Sequence, residues 1–106
     1  MMERSQKINF GYVNFNARLN FRILAERLLP DGRLEGHEWV ARNPTRVDRN
    51  PGSFKINLHT GMWADFATGD KGGDPVSLVA FLFGISQTKA ANKLADMMGI
   101  GNDRYC

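Results

Sequence analysis

The sequence predicts one α+β domain: a small antiparallel sheet of about three to four strands packed with an N-terminal helix and two C-terminal helices. Three observations lead there. Residues 14–29 space apolar side chains at a helical period. Three short runs between Glu38 and Phe66 are rich in aromatic and β-branched residues. A glycine-rich stretch, 68–74, then opens into two apolar segments that begin on capping residues.

In 14–29, Phe15, Leu19 and Ile23 recur at i, i+4 and i+8, with Phe21, Leu24 and Leu28 on a neighbouring stripe and Arg18, Arg22, Glu26 and Arg27 elsewhere. This is the pattern of an amphipathic helix. Asn14 or Asn16 is its expected cap, and Pro30-Asp31-Gly32 ends it. The strand runs are Glu38–Ala41, Ser53–Leu58 and Met62–Phe66. In the second, Phe54, Ile56 and Leu58 alternate with Ser53, Lys55 and Asn57, so the strand has one buried and one polar face. His59-Thr60-Gly61 reads as a tight turn with Gly61 in the left-handed position.

Thr68 to Asp74 holds three glycines in seven residues and reads as a loop. Asp74 followed by Pro75 marks a helix start, because the carboxylate accepts from orphan N–H groups and proline needs no donor at the first helical position. The helix through Val76, Leu78, Val79, Phe81, Leu82 and Phe83 runs to Gly84, and its near-uniform apolarity predicts burial on most sides. Ser86 caps a second helix with Ala90, Ala91, Leu94 and Met97 or Met98 at helical spacing, ended by Gly99. The domain is expected to cover 14–99, with an arm at 1–13 and a frayed tail at 100–106.

Composition narrows the class. At 42% hydrophobic and 24% charged, 106 residues can bury a single core without staples, which argues against bulk disorder. The single cysteine, Cys106, excludes an intrachain disulfide and a cysteine-rich metal site. With the short polar stretch Met1–Gln6 and no apolar run of bilayer length, a cytoplasmic location is expected. The net charge of +3 is local. Residues 1–38 carry six basic and five acidic side chains, 39–55 four and one, and 56–106 four and five. The excess therefore sits at Arg42, Arg46, Arg49 and Lys55, beside Trp39, Phe54 and Trp63. Such a strip suits phosphate tracking with bases stacked on rings. It equally suits a solvated loop whose arginines pair with Glu35, Glu38 or Asp65.

Catalysis is poorly supported. Ser53, Ser77 and Ser86 lack a nucleophile context, and neither His37 nor His59 sits in a catalytic frame. Asp65, Asp70 and Asp74 flank the glycine-rich loop, Asp74 reading as a helix cap and Asp70 as a turn residue before magnesium ligands, and His37, His59, Asp65 and Asp70 lack the paired spacing of structural zinc ligands. No cofactor is expected. The Gly69–Gly73 loop matches neither nucleotide-binding glycine motif, yet it leads into a helix N-terminus beside Lys71, where a phosphate would be favoured.

From Asn43 to Gly99 the order of elements resembles the N-terminal zinc-ribbon domain of bacterial and phage DNA primases, as found in primase-helicases of phages and mobile elements. The matching residues are Asn43-Pro44-Thr45-Arg46, the charged Val47-Asp48-Arg49-Asn50, Pro51-Gly52-Ser53-Phe54-Lys55-Ile56, Trp63-Ala64-Asp65-Phe66-Ala67-Thr68, Gly73-Asp74 and the helical Lys89-Ala90-Ala91-Asn92-Lys93-Leu94-Ala95. The four metal-ligand positions are occupied by Asn43, Arg46, Asp65 and Thr68, so the resemblance implies a zinc-ribbon-like fold that has lost its zinc. Compensation is expected from the N-terminal helix, covering one sheet face with Leu19, Ile23 and Leu28, and from an Arg46–Asp65 ion pair.

The resemblance also implies a non-catalytic module that binds single-stranded DNA in replication or priming. Arg42, Arg46, Arg49 and Lys55 are expected on phosphates, Lys71, Gly72 and Gly73 at a further phosphate contact, and Trp63 under a stacked base. The alternative is a protein-interaction module that docks a helicase or a polymerase or primase partner, with an apolar patch expected around Met97 and Met98. Neither reading involves a membrane.

Overall fold

The computed structural model describes residues 8–45 and 52–100. The order is α1 (Phe10–Leu19), α2 (Phe21–Leu28), β1 (Arg33–Glu35), β2 (Glu38–Ala41), β3 (Phe54–Asn57), β4 (Trp63–Asp65), β5 (Lys71–Gly72), α3 (Pro75–Phe83) and α4 (Gln87–Met98). The class is α+β, as the sequence predicts. The five strands form one antiparallel meander in the order β1-β2-β3-β4-β5. The two outer strands go beyond the expected three to four. Lys71–Gly72, read as loop, pairs with Trp63 and Ala64, because a two-residue strand leaves no alternation to detect.

The N-terminal helix is two helices broken at Asn20, whose φ of −121° is not helical. Its caps differ from expectation. Asn9 caps α1 by accepting from the Tyr12 N–H at 2.9 Å. Asn14 is buried, and its Oδ1 accepts from the Val76 N–H at 2.9 Å, an orphan donor in the first turn of α3. Asn16 donates to the Tyr12 carbonyl instead of capping. The buried face is corrected too. Phe15, Leu19 and Ile23 are 56%, 67% and 59% exposed, while Val13, Ala17, Phe21, Leu24 and Ala25 are buried. Alanines decide this: Ala17 on α1 and Ala90, Ala91 and Ala95 on α4 are small enough for the helices to close on each other, and the bulkier stripe is left outside. Leu19 and Ile23 therefore do not cover the sheet; only Leu28 of that expected trio packs, in part, on the core.

The sheet alternates as β3 predicts. Its register aligns Trp39, Ile56 and Trp63 in one row and Ala41, Phe54 and Asp65 in the next, all buried on the helix-covered face. Lys55 lies between Val40 and Ala64 on the opposite face. Phe81 of α3 packs on this inner face, 4.8 Å from the Trp63 ring centroid and 6.2 Å from that of Phe54. At the other end Trp39 donates from Nε1 to the Leu29 carbonyl at 3.0 Å, fastening the end of α2 to β2.

The turn at Gly61 and the caps of α3 and α4 are present as expected. Gly61 has φ +81°, and Asn57 Oδ1 accepts from the His59 and Thr60 N–H groups. Asp74 and Ser77 form a capping box on α3, Ser86 caps α4, and Gly84 and Gly99 end the two helices in the left-handed region. Burial of α3 is less complete than its composition implies. Pro75, Val76, Leu78 and Val79 are buried, but Phe83 is 48% exposed with the Lys93 ammonium 4.6 Å above its ring.

Gly72 is required for packing. A Cβ there would lie 2.5 Å from both Ser77 Oγ and Trp63 Nε1, the two atoms of a 3.0 Å hydrogen bond. Gly72→Ala is expected to lower stability by about 1–3 kcal/mol, several degrees in a thermal melt followed by circular dichroism. An unchanged melt would show that the Trp63–Ser77 contact yields without loss.

Candidate nucleic-acid interface

The face of β3, β4 and β5 turned away from the helices forms an open groove of about 580 Å³. Alternation produces it. Trp63 and Asp65 point inward, so Ala64 and Phe66 point outward, and Lys55 and Lys71 flank Ala64 on the neighbouring strands. Phe66 follows directly after β4 and is held there by its N–H donating to the Ser53 carbonyl at 2.8 Å. Its ring is 71% exposed, and the Lys55 ammonium sits 6.0 Å from its centroid. Glu38 and Met62 close one end of the groove, and Gly72 and Gly73 its β5 side. The result is an exposed ring with two cations on a concave, mostly apolar surface.

Five of the residues singled out in the sequence meet here: Lys55, Trp63, Lys71, Gly72 and Gly73 all line the groove. Arg42 does not. It is exposed but lines a separate depression of about 210 Å³ with Leu28, Pro30 and Asp31. Arg46 and Arg49 lie outside the described residues, as does the expected Arg46–Asp65 pair.

Trp63 is a correction. It is only 5% exposed, its ring is packed on Phe81 and Phe54, and its N–H is committed to Ser77. It offers the groove an edge and no free face. Phe66, overlooked as an interface residue, presents the open ring. Its signal was in the sequence, one residue beyond the inward Asp65 in a period-two pattern.

The N-terminus of α3 does not offer the phosphate site expected of it. Pro75 has no N–H, Val76 donates to Asn14 and Ser77 donates to Asp74 Oδ1 at 2.8 Å, while Leu78 donates to the Asp74 carbonyl. The donors that would hold an anion are already engaged. Lys71, exposed on β5, is left as the cation at that end of the groove.

Of Asn43, Arg46, Asp65 and Thr68, where the sequence leads one to expect lost metal ligands, Asn43 and Asp65 are 1% and 0% exposed and bond to each other, Asn43 Nδ2 donating to Asp65 Oδ2 at 2.8 Å. Each also organises its own loop. Asn43 Oδ1 accepts from the Thr45 N–H at 2.9 Å and its hydroxyl at 2.7 Å, and Asp65 Oδ1 accepts from the Ala67 N–H at 2.9 Å. Thr68 is exposed and donates its hydroxyl to Asp70. Among the described residues no three His, Cys, Asp or Glu side chains converge as a metal site. Nor, among them, is any helix long and apolar enough to cross a membrane.

No protein-family model matches the chain, and no curated protein matches it at a significant level.

Removing the Asn43 amide strips a buried carboxylate of a donor. Asn43→Ala is expected to cost about 1–3 kcal/mol in a urea titration, and a chelator added to the wild-type chain to leave its midpoint unchanged. A chelator-sensitive midpoint would mean that the fold depends on a metal.

Proposed function

We propose that the chain is a non-catalytic module that binds single-stranded nucleic acid, and specifically single-stranded DNA in the replication or priming of a phage or mobile element. The observation that carries this reading is the exposed Phe66 ring set between Lys55 and Lys71 in the sheet groove. A sheet face with an open ring and flanking cations suits a strand whose bases stack while its phosphates pair with ammonium groups. The groove separates the two cations by one strand, Ala64, so that they border the same short stretch of ligand. Arg42, Arg46 and Arg49 belong to the reading as further phosphate contacts.

The same proposal takes the domain as a zinc-ribbon-like fold without zinc, acting in the cytoplasm beside a helicase or a polymerase or primase. What supports it is the Asn43–Asp65 hydrogen bond, which joins two loops at the positions where the resemblance puts metal ligands. A buried hydrogen bond to a carboxylate is worth about 1.5–3 kcal/mol, far less than a structural zinc, so the balance falls to the helices. Five buried apolar side chains on α1 and α2, Val13 to Ala25, are of the right order to supply it.

The test is fluorescence anisotropy with a labelled oligothymidylate over a salt series. Affinity is expected to fall with salt, and the Lys55→Gln, Lys71→Gln double variant to flatten the slope by about 1.4. Phe66→Ala is expected to weaken binding by about 1–3 kcal/mol without changing the slope. Salt-independent affinity, or wild-type behaviour of both variants, overturns the reading.

A further inference from the structure

Met97 and Met98, where an apolar docking patch is expected, are partly buried against the core. The sheet groove, in contrast, holds a group that neither stacking nor phosphate pairing uses. Glu38 is the one carboxylate among the described residues that line it. An anion there repels the phosphates that Lys55 and Lys71 attract, so it works against a purely electrostatic site. The fold does not use it either. Glu38 is half-buried and makes no hydrogen bond or ion pair among the described residues. The cations near it are turned elsewhere: Arg33 pairs with Glu35, and Lys55 lies over the Phe66 ring.

The register gives Glu38 a neighbour. It stands opposite Asn57, whose N–H donates to the Met62 carbonyl at 2.8 Å, and all three residues line the groove as one row. Lys55, Ala64 and Lys71 form the next row, with Phe66 beyond it. Met62 and Phe66 are thus about 13 Å apart along the extended chain, so a base at the Glu38 row is not the base stacked on Phe66. Cross-strand neighbours have Cβ atoms about 4.5–5.5 Å apart, close enough for both side chains to meet one base edge. Their hydrogen-bonding roles differ. Asn57 Oδ1 is occupied by the His59 and Thr60 N–H groups, which leaves its amide N–H groups to donate. An ionised Glu38 only accepts, through two oxygens.

Unpaired bases are read on their Watson–Crick edges, and two acceptors beside a donor match one base best. Guanine presents two adjacent donors, N1–H and the N2 amino group, next to the O6 acceptor. Adenine and cytosine present one amino group next to an acceptor, and thymine a single N–H between two carbonyls. Against any of these three, a carboxylate is left half paired or faces a lone pair. We infer that Glu38, with Asn57 beside it, makes the groove select guanine: the carboxylate accepts from N1–H and the N2 amino group while the amide donates to O6. This inference rests on the groove binding single strands, and it adds to that reading a preference that stacking on Phe66 and pairing with lysines do not supply.

The probes are labelled oligothymidylate of about 12 nucleotides and the same strand carrying isolated guanines, inosines, adenines or cytosines. By anisotropy with the full chain, the guanine strand is expected to bind about tenfold more tightly than oligothymidylate. Inosine lacks only the N2 amino group, and its strand is expected to lose most of that gain, with the adenine and cytosine strands within about twofold of oligothymidylate. Glu38→Gln is expected to cut the guanine preference below about twofold without weakening oligothymidylate, because it removes an anion from the groove. A merely structural role for Glu38 would instead weaken every strand alike. Circular dichroism is expected to be unchanged in this variant. Salt-dependent binding of all strands with equal affinity overturns the inference and leaves the groove reading standing. Equal binding of the inosine and guanine strands, or a guanine preference that survives Glu38→Gln, also overturns it. Absence of salt-dependent binding to every strand overturns the groove reading and the inference with it.

Discussion

The first turn of α3 is the junction on which the rest of the structure depends. Helices leave their first N–H groups without internal partners, and a buried N-terminus must find acceptors for them or lose several kcal/mol. Here the acceptors come from separate parts of the chain. Asp74 supplies the cap itself, Asn14 reaches across from α1 to Val76, and Ser77 closes the capping box while taking the Trp63 N–H from β4. Gly72 on β5 leaves the room that this contact needs. One set of hydrogen bonds therefore joins both N-terminal and C-terminal helices to the sheet, and it does so beside the groove.

That junction explains why Trp63 is a core residue. An indole buried against Phe81 needs a partner for its N–H, and Ser77 meets that need only if the ring stays inward. Inward Trp63 dictates outward Ala64 and Phe66, and the period-two geometry then assembles Lys55, Phe66 and Lys71 on one surface. The groove is thus a by-product of the packing on the other side of the sheet. Its chemistry is set by three side chains that contribute little to the core.

The Asn43–Asp65 bond illustrates a different constraint. A fully buried carboxylate is tolerated only with donors, and Asp65 has the Asn43 amide and the Ala67 N–H among its partners. The two loops it connects border β2 and β4, so the bond holds the inner face of the sheet together where Ala41 and Phe54 complete the row. A polar link of this kind specifies a geometry more than it adds stability.

The caps at Asp74 and Ser86, the stops at Gly84 and Gly99, the Gly61 turn and the alternation of β3 were all legible in the chain, because each depends on a few neighbouring residues and on local backbone chemistry. So were five of the residues that line the groove. Which stripe of 14–29 is buried was not legible, since two apolar stripes were available and the choice turned on how closely alanines let α1 approach α4. The role of Asn14 depended on a donor 62 residues away, and the exchange of Trp63 for Phe66 as the open ring depended on which side of β4 the helices cover. The sequence by itself determined where α3, α4 and the Gly61 turn begin and end; only the tertiary structure decided where α1 breaks from α2 and which faces meet, because that is settled by fit between distant surfaces and by the need of buried donors for acceptors.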